Sequence, residues 1–489
     1  MDEVKESVTV KDALTQAAEE KILSFDSTDS GNAELFRHLF GEDFHFLQED
    51  NDWLSFDGFR WRRDWLESTG TQRLASDEAM HKLIGAIELK YNLYVKHHNL
   101  TSIKLKDMSK DDRDHLIKIN QCKNLRKLTP ALQLASSLPG MKFLLKQFDT
   151  DCYLLGCKNT IIDLQTGKPV EPSKLSGRLV LKSNNVIYDP SAKCPRWLQF
   201  MEEVFEGDQE TISFIKRLAG YTLTGLVCEE YIFILLGETG TGKSTLLCLL
   251  SLLLGEYYYS LPAYVYYIQK WDQNSRHLFN LCGKRLATTM ELQPHRQIDN
   301  NFIKQLTGGD KATGASMRQM PLTYSPTVKL FWGMNDMVAL DTLDTGIVRR
   351  LCVIPFNVGF GGTSKEDKRL KDKILPGELP GILNWAIEGV VEYQQTDSLM
   401  MSPKVKKKTK EMIELCNPVA SFIKERVVRP ALSDVEFKNM WGAFGMFRAQ
   451  EGIPPTMKEN SFSREMARLG YGSDTSTGQS VFKGMSLKP

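Results

Sequence analysis

The segment YIFILLGETGTGKST, residues 231–245, carries the strongest chemical signal in the chain. It sets Gly237, Gly242, Lys243 and Ser244 in the order GxxxxGK[ST]. An apolar stretch that reads as a buried strand delivers the backbone to a loop whose glycines permit unusual torsions and close approach. The N–H groups of Gly237, Glu238, Thr239, Gly240, Thr241, Gly242, Lys243, Ser244 and Thr245 can then wrap a β-phosphate, and the helix that follows points its positive end at it. Lys243 is placed to neutralise β/γ oxygens and the Ser244 hydroxyl to ligate Mg²⁺, so ATP and Mg²⁺ are the expected cofactors. The apolar run after the loop, residues 246–254, is far shorter than the ~18 residues of a membrane span and reads as a buried helix.

Phosphate binding alone does not say what the energy is used for. Three further elements follow in order: RLATTME ending in Glu291, a stretch with Gly308-Gly309-Asp310 that runs through KLFWGMN to Asn335, and DTGIVRRLCVIPF with Arg349 and Arg350. Taken singly, Asn335 reads equally as the start of a turn, either arginine as a surface ion pair, and the basic residues Lys311 and Arg318 as members of an ordinary exposed loop.

Together, in this order after the phosphate loop, the parts resemble superfamily three helicases, most closely the helicase half of phage, satellite and poxvirus primase–helicases. The lead-in YDPSAKCPRWLQFMEEVF and the hairpin-rich WLSFDGFRW region are also similar to that family, so the resemblance runs from about residue 34 to the end. It implies that Glu291 helps hold Mg²⁺ and polarises the attacking water, and that Asn335 orients that water. Many relatives carry two adjacent acids where this chain has Thr289-Met290-Glu291, which leaves the division between metal ligand and base open. The resemblance makes Arg350 the finger that reaches a neighbouring subunit's γ-phosphate, with Arg349 as the alternative. It also makes the stretch between Asp310 and Asn335 a channel hairpin whose Lys311 and Arg318 touch DNA phosphates without reading bases. A closed ring, six subunits and 3′ to 5′ polarity come with the family.

The elements that must position these residues can be read from the rest of the chain. Its 489 residues suffice for about three domains, with ordinary composition at 42% hydrophobic and 25% charged. A formal charge of +1 means that any nucleic-acid contact depends on local basic clusters. The nine cysteines show no zinc spacing, which predicts free thiols, and the acidic start MDEVKESV speaks against a signal peptide. A cytoplasmic protein in a bacterial host, without membrane contact, is expected.

The fold class expected is α/β: an AAA+-like core with a parallel sheet, an N-terminal α+β accessory domain and a small winged-helix-like C-terminal module. The boundaries are a polar arm at 1–33, the accessory domain at 34–195, a helical lead-in or oligomerisation segment at 196–230, the core at 231–375, a helical and basic connector at 376–415 and the C-terminal module at 416–489. Hairpin turns are predicted at Asp57-Gly58 and Thr166-Gly167, and Asp208 is predicted to cap a helix. A capping box is predicted at residues 433–436, with Arg464 and Arg468 left available on the next helix and a two-stranded wing in the tail SDTSTGQSVFKGMSL.

A ring-forming DNA helicase of a phage, plasmid or mobile element therefore heads the functional readings, acting on single-stranded and forked DNA. An origin-binding initiator or loader that uses ATP for assembly is the alternative, and a protein remodeller stands third. The residues ahead of the lead-in are too few for a primase in addition to the accessory domain, so a separate primase or origin-binding protein is the expected partner.

Overall fold

The computed structural model describes residues 16–66, 72–175, 177–184, 186–268, 274–292, 298–315, 321–335, 345–361, 369–370, 377–415, 417–431, 433–451, 457–474 and 480–488. They fall into two compact units, Met1–Asp149 with Val170–Lys182, and Thr150–Pro169 with Ser183–Pro489. The expected boundary at 195 does not coincide with this division, because the second hairpin clusters with the larger unit.

In the first unit, helix α1 (Asp29–Phe40) starts where the Thr28 hydroxyl accepts the Gly31 N–H. Strands β1 (Phe44–Leu47), β2 (Asp52–Phe56) and β3 (Trp61–Arg62) follow, then α2 (Ala75–His97), α3 (Lys110–Gln121), α4 (Leu125–Ala135) and β4 (Lys142–Phe143). The sheet order is β3-β2-β1-β4. The predicted hairpin turn is present: Gly58 has φ of 94°, and the Asp57 carboxylate accepts the N–H groups of Phe59 and Arg60. Phe36 packs edge to face on Trp53 and tilted against Phe44, within a core closed by Leu83 and Ile87 of α2.

The second unit opens with strands β5 (Leu154–Gly156), β6 (Ile161–Asp163) and β7 (Lys168–Pro169), which turn at Gly167 as predicted. Helices α5 (Pro195–Phe205) and α6 (Gln209–Leu223) come next, and Asp208 caps α6 by accepting the Thr211 N–H. The central sheet is built from β8 (Ile232–Leu236), β9 (Tyr258–Ser260), β10 (Leu286–Met290), β13 (Lys329–Met334) and β14 (Leu351–Pro355), in the order β9-β10-β13-β8-β14. Every pairing in it is parallel. All five residues of β8 are buried, the continuous apolar run expected of a strand covered on both faces.

Between these strands lie α7 (Lys243–Leu254), α8 (Ser275–Asn280), α9 (Asn300–Thr307), the strand pair β11 (Ala312–Gly314) and β12 (Leu322–Tyr324), and α10 (Thr345–Val348). Helix α11 (Leu379–Thr396) crosses α6 at two glycines. A Cβ on Gly220 would lie 2.2 Å from the Val390 nitrogen and one on Gly389 would lie 2.0 Å from the Lys216 carbonyl oxygen, so only glycine admits this crossing.

Two buried cations brace the sheet's N-terminal edge. Arg285 donates to the carbonyls of Leu223 and Leu154, and Lys329 to those of Thr224 and Thr327. Burial holds the Lys329 ammonium well below its ordinary range. Neither cation was singled out by sequence reasoning.

Helix α12 (Pro403–Leu415) holds the basic run, and α13 (Pro418–Arg426) begins the C-terminal module. Here one expectation is corrected. Val435–Glu436 is a strand, β16, and α14 (Phe437–Gln450) starts only after it, with no side-chain cap on its first turn. The capping box fails because β16 is recruited by Val481–Phe482 (β17) from the tail. Within the tail, Asp474 and Val481 pair antiparallel with each other through backbone bonds of 2.8 and 2.9 Å, the contact expected of a two-stranded wing, and Ser486–Leu487 (β18) pairs with Val427–Val428 (β15). Phe482 is thereby buried in the module core. Helix α15 (Glu459–Arg468) forms as predicted, but Arg468 is taken up by Glu465 through Nε at 2.8 Å. Among the described residues no helix is long and apolar enough to cross a membrane, and the eight described cysteines are free thiols.

Candidate functional site

Strand β8 ends at Leu236, and α7 begins at Lys243. The loop between them depends on its glycines. A Cβ on Gly237 would lie 2.0 Å from the Phe356 carbonyl oxygen, and Gly240 and Gly242 hold φ of 82° and 95°. The loop is braced from outside by the Phe360 N–H, which donates to the Gly240 carbonyl at 3.0 Å. Lys243 is 5% exposed. Its ammonium donates to the carbonyls of Gly237 (2.6 Å) and Glu238 (2.7 Å), and burial lowers its pKa. A cation held over the loop in this way has its charge aimed where a phosphate would sit.

Strands β10 and β13 run parallel to β8, so their C-terminal ends emerge on the same edge as the loop. The edges of such sheets, outside the carboxyl ends of the strands, are where open α/β folds bind ligands. Glu291 follows β10 and Asn335 follows β13. Both line one cavity of about 370 Å³ with Thr239, Lys243 and Ser244. The Asn335 amide lies 3.5 Å from the Thr239 hydroxyl. Glu291 is exposed, adopts a left-handed φ of 55° and donates its N–H to the Gly333 carbonyl at 3.1 Å. A side chain other than glycine in that region is uncommon, and such conformations gather at functional sites.

Ser244 and Glu291 present one hydroxyl and one carboxylate to the cavity, a donor set that suits Mg²⁺ sharing its remaining positions with phosphate and water oxygens. Among the described residues no group of three or more His, Cys, Asp or Glu forms an all-protein metal cage.

One wall of the cavity was missed by sequence reasoning. Arg196, Phe200 and Glu203, spaced i, i+4 and i+7 on α5, face the loop. Arg196 pairs with Glu203 at 3.2 Å, and a Cβ on Gly242 would press on Phe200 and Val204. The signal was present in the helical spacing of PRWLQFMEEVF, which was read only as a helical lead-in.

The two arginines before β14 diverge. Arg350 is 5% exposed. Its Nε donates to the Thr307 hydroxyl at 2.9 Å, Nη1 to the Gly346 carbonyl at 2.7 Å, and Nη2 pairs with Glu230 at 2.8 Å. Arg349, with 65% of its side chain exposed, pairs with the same Glu230, at 2.9 Å. Every guanidinium nitrogen of Arg350, the residue expected to reach a neighbour, is engaged within its own chain. Arg349 is the more exposed member of the pair, held by the Glu230 carboxylate. Because Ile232 pairs with Leu351 and Leu236 with Pro355, both arginines stand at the sheet edge opposite the phosphate loop. A rise of ~3.3 Å per residue puts about 20 Å between them and that loop.

The strand pair β11–β12 is antiparallel, with Ala312 opposite Tyr324. Its root is tied to α8: the Tyr324 hydroxyl donates to the Leu278 carbonyl at 2.6 Å, and the Ala315 N–H donates to the Ser275 hydroxyl at 2.9 Å. Lys311 is exposed just before β11, and Arg318 lies outside the described residues.

Residues 33–206 match the family model described as D5 N terminal like. A curated relative, "Putative helicase L207/L206" of Acanthamoeba polyphaga mimivirus, is 27% identical over 237 residues, covering 47% of this chain and 24% of that protein. A second, "Putative helicase V13" of Sputnik virophage, is 23% identical over 228 residues, covering 43% of this chain and 29% of that protein. The chain is therefore similar to D5-type helicases and spans about a quarter of the length of the curated relatives it matches. Among solved structures, the A form of the apo NrS-1 C terminal region aligns with a TM-score of 0.46 at 11% identity, over 92% of this chain and 98% of that one. The apo NrS-1 C terminal region (305–718) aligns with a TM-score of 0.39 at 12% identity, over 60% and 78%.

Proposed function

We propose that this chain is an ATP hydrolase that couples nucleotide turnover to the movement of DNA, a ring-forming helicase of the superfamily three type that serves replication of a viral or mobile genome. The observation that carries the reading is the convergence of Lys243, Ser244, Glu291 and Asn335 on one cavity from three parallel strands. Lys243 and the loop N–H groups hold the β- and γ-phosphates of ATP. Glu291 and Asn335 orient a water whose oxygen attacks the γ-phosphorus while the bond to the β–γ bridging oxygen breaks, releasing ADP, phosphate and a proton. Mg²⁺ bound with the nucleotide neutralises phosphate charge. The positions of Ser244 and Glu291 suit them to hold it.

The core is read as AAA+-like, assembled as a hexamer in which Arg349 acts on the neighbour's nucleotide. The β11–β12 hairpin with Lys311 and Arg318 grips a strand in the channel, with 3′ to 5′ movement as the family expectation. The C-terminal module is read as a winged-helix-like element. The two curated relatives come from viruses with eukaryotic hosts, which turns the reading of the host away from a bacterium.

The test is ATP turnover and fork unwinding by the wild-type chain and Lys243→Ala, with and without single-stranded DNA. The reading expects DNA-stimulated turnover and unwinding, both lost in the variant. Duplex binding with ATP-dependent assembly but no unwinding would favour an origin-binding initiator instead, and turnover indifferent to nucleic acid would return the protein remodeller.

A further inference from the structure

Within the first unit a cavity of about 530 Å³ opens between the β1–β2 hairpin, the first turns of α2, α4 and β4. It is larger than the phosphate cavity, at about 370 Å³. Its floor is apolar. Phe46 and Trp53 stand opposite each other on β1 and β2, ring centroids 5.4 Å apart and edge to face. Met80 of α2 and Leu132 of α4 extend that floor. The rim is polar: Gln48, Ser76, Thr129, Gln133, Ser137 and Lys142. Among the described residues none of these six side chains makes a hydrogen bond. Two other groups of the lining are already engaged. The Ser136 hydroxyl donates to the Gln133 carbonyl, and the Asp52 carboxylate accepts the Trp53 N–H, both at 2.8 Å.

We infer that this cavity takes one unstacked nucleobase of a single-stranded polynucleotide, with Phe46 against the ring, Gln48 and Gln133 on its edge and Lys142 at the adjoining phosphate. The chemistry of the lining selects this occupant. A base has two apolar faces and an edge that both donates and accepts, and a carboxamide side chain can answer either way. Charge argues in the same direction. Among the described residues Asp52 and Lys142 are the charged members of the lining and they cancel, so a polyphosphate gains little there while a neutral base loses nothing. An added peptide strand would pair along a sheet edge through backbone bonds. The edge strand at the cavity, β4, spans two residues and offers a poor template. The inference goes beyond the ATP-driven reading and does not require it, since a chain that hydrolyses nothing could still hold a base here.

The test uses the full chain without nucleotide and a single-stranded oligothymidine carrying one 5-iododeoxyuridine. After irradiation and trypsin digestion, mass spectrometry should find the cross-link in the peptide 38–60, which carries Phe46 and Trp53. Mapping the cross-link separates this site from DNA held elsewhere in the chain. Gln133 is exposed on α4, so Gln133→Trp should fill the cavity without unfolding the chain and lower the yield of that cross-link about tenfold, within the worth of one stacked base. The paired Gln48→Ala and Gln133→Ala variant, which adds no bulk, should lower it several-fold. An abasic oligomer with the same phosphates should compete about tenfold more weakly than oligothymidine.

No cross-link in that peptide overturns the inference and leaves the cavity to a protein partner. A cross-link that survives both variants overturns it too. Equal competition by the abasic oligomer assigns the contact to phosphates and is equally fatal. Turnover indifferent to DNA would refute the helicase reading while leaving the cross-link standing, so the two can fail separately.

Discussion

Replacing Arg349 and Arg350 separately by alanine separates a group that acts outward from one that holds its own fold. In Arg350→Ala, two hydrogen bonds from a charged donor disappear, to the Thr307 hydroxyl at 2.9 Å and the Gly346 carbonyl at 2.7 Å. Glu230 keeps Arg349 as a partner at 2.9 Å, so no carboxylate is orphaned. At ~1.5 kcal/mol for each charged bond, the loss is about 3 kcal/mol, with more expected from the vacated space at a residue 5% exposed. In Arg349→Ala only an exposed ion pair is lost, worth about 0–1 kcal/mol. Urea unfolding should therefore show a clearly lower midpoint for Arg350→Ala and an almost unmoved one for Arg349→Ala. ATP turnover should behave oppositely at a temperature where both are folded. Arg349→Ala should lose about 10³-fold, the lower end for a transition-state arginine, and recover on mixing with Lys243→Ala. If instead Arg350→Ala unfolds like wild type, loses turnover and is rescued by mixing, burial and bonding have misidentified the outward-acting residue and the reasoning fails.

Glu291→Gln should keep nucleotide affinity within a fewfold while turnover falls by about 10²- to 10⁴-fold, the range for a general base; equal losses in both would mark it as a binding residue only. Gly237→Ala should abolish binding of a fluorescent ATP analogue, because its Cβ would overlap the Phe356 carbonyl oxygen at 2.0 Å and displace the loop. His45, stacked between Trp61 at 3.7 Å and Phe143 at 3.8 Å, is pushed by burial from an ordinary 6.5 down to about 4. Its neutral form is favoured in the fold, so its contribution is present above pH 6.5 and lost as pH falls toward 4. Between pH 7.5 and 5 this amounts to about 2 kcal/mol of linkage, which His45→Phe should remove from the pH dependence of unfolding.

The loop at residues 237–245 was legible in the sequence because its chemistry is set by neighbours in the chain: an apolar strand before, an apolar helix after, and glycines at fixed offsets. Glu291 and Asn335 were picked out by the family resemblance, and the sheet explains why they lie beside the loop. In a parallel sheet every strand ends at the same edge, so a polar residue closing a strand after the loop is carried to it. What escaped notice depended on partners far away in sequence. Val435 and Glu436 read as a capping box until Val481 and Phe482 claim them as a strand. Arg285 and Lys329 look like ordinary surface cations, and only the carbonyls of Leu154, Leu223 and Thr224 make their burial tolerable. Adjacent arginines at a strand entry point to different sides, and which one turns inward was decided by Thr307 and Gly346.

The parallel direction of the sheet has a consequence for how one chain can work. The groups proposed to hold phosphate and water lie at its C-terminal edge, and the exposed Arg349 at its N-terminal edge. On the proposed reading no single copy brings both to one nucleotide, and the ring would set Arg349 of one copy against the loop of the next. Arg350 then has a use that its burial alone does not explain. It ties the residues that carry Arg349 to Thr307, the last residue of α9, immediately ahead of Gly308-Gly309-Asp310, Lys311 and the β11–β12 hairpin. Gly308 packs close enough that a Cβ there would lie 3.3 Å from Arg350 Nη2. A displacement of Arg349 when a neighbour's phosphate departs is thus coupled by one guanidinium to the base of the element proposed to hold DNA.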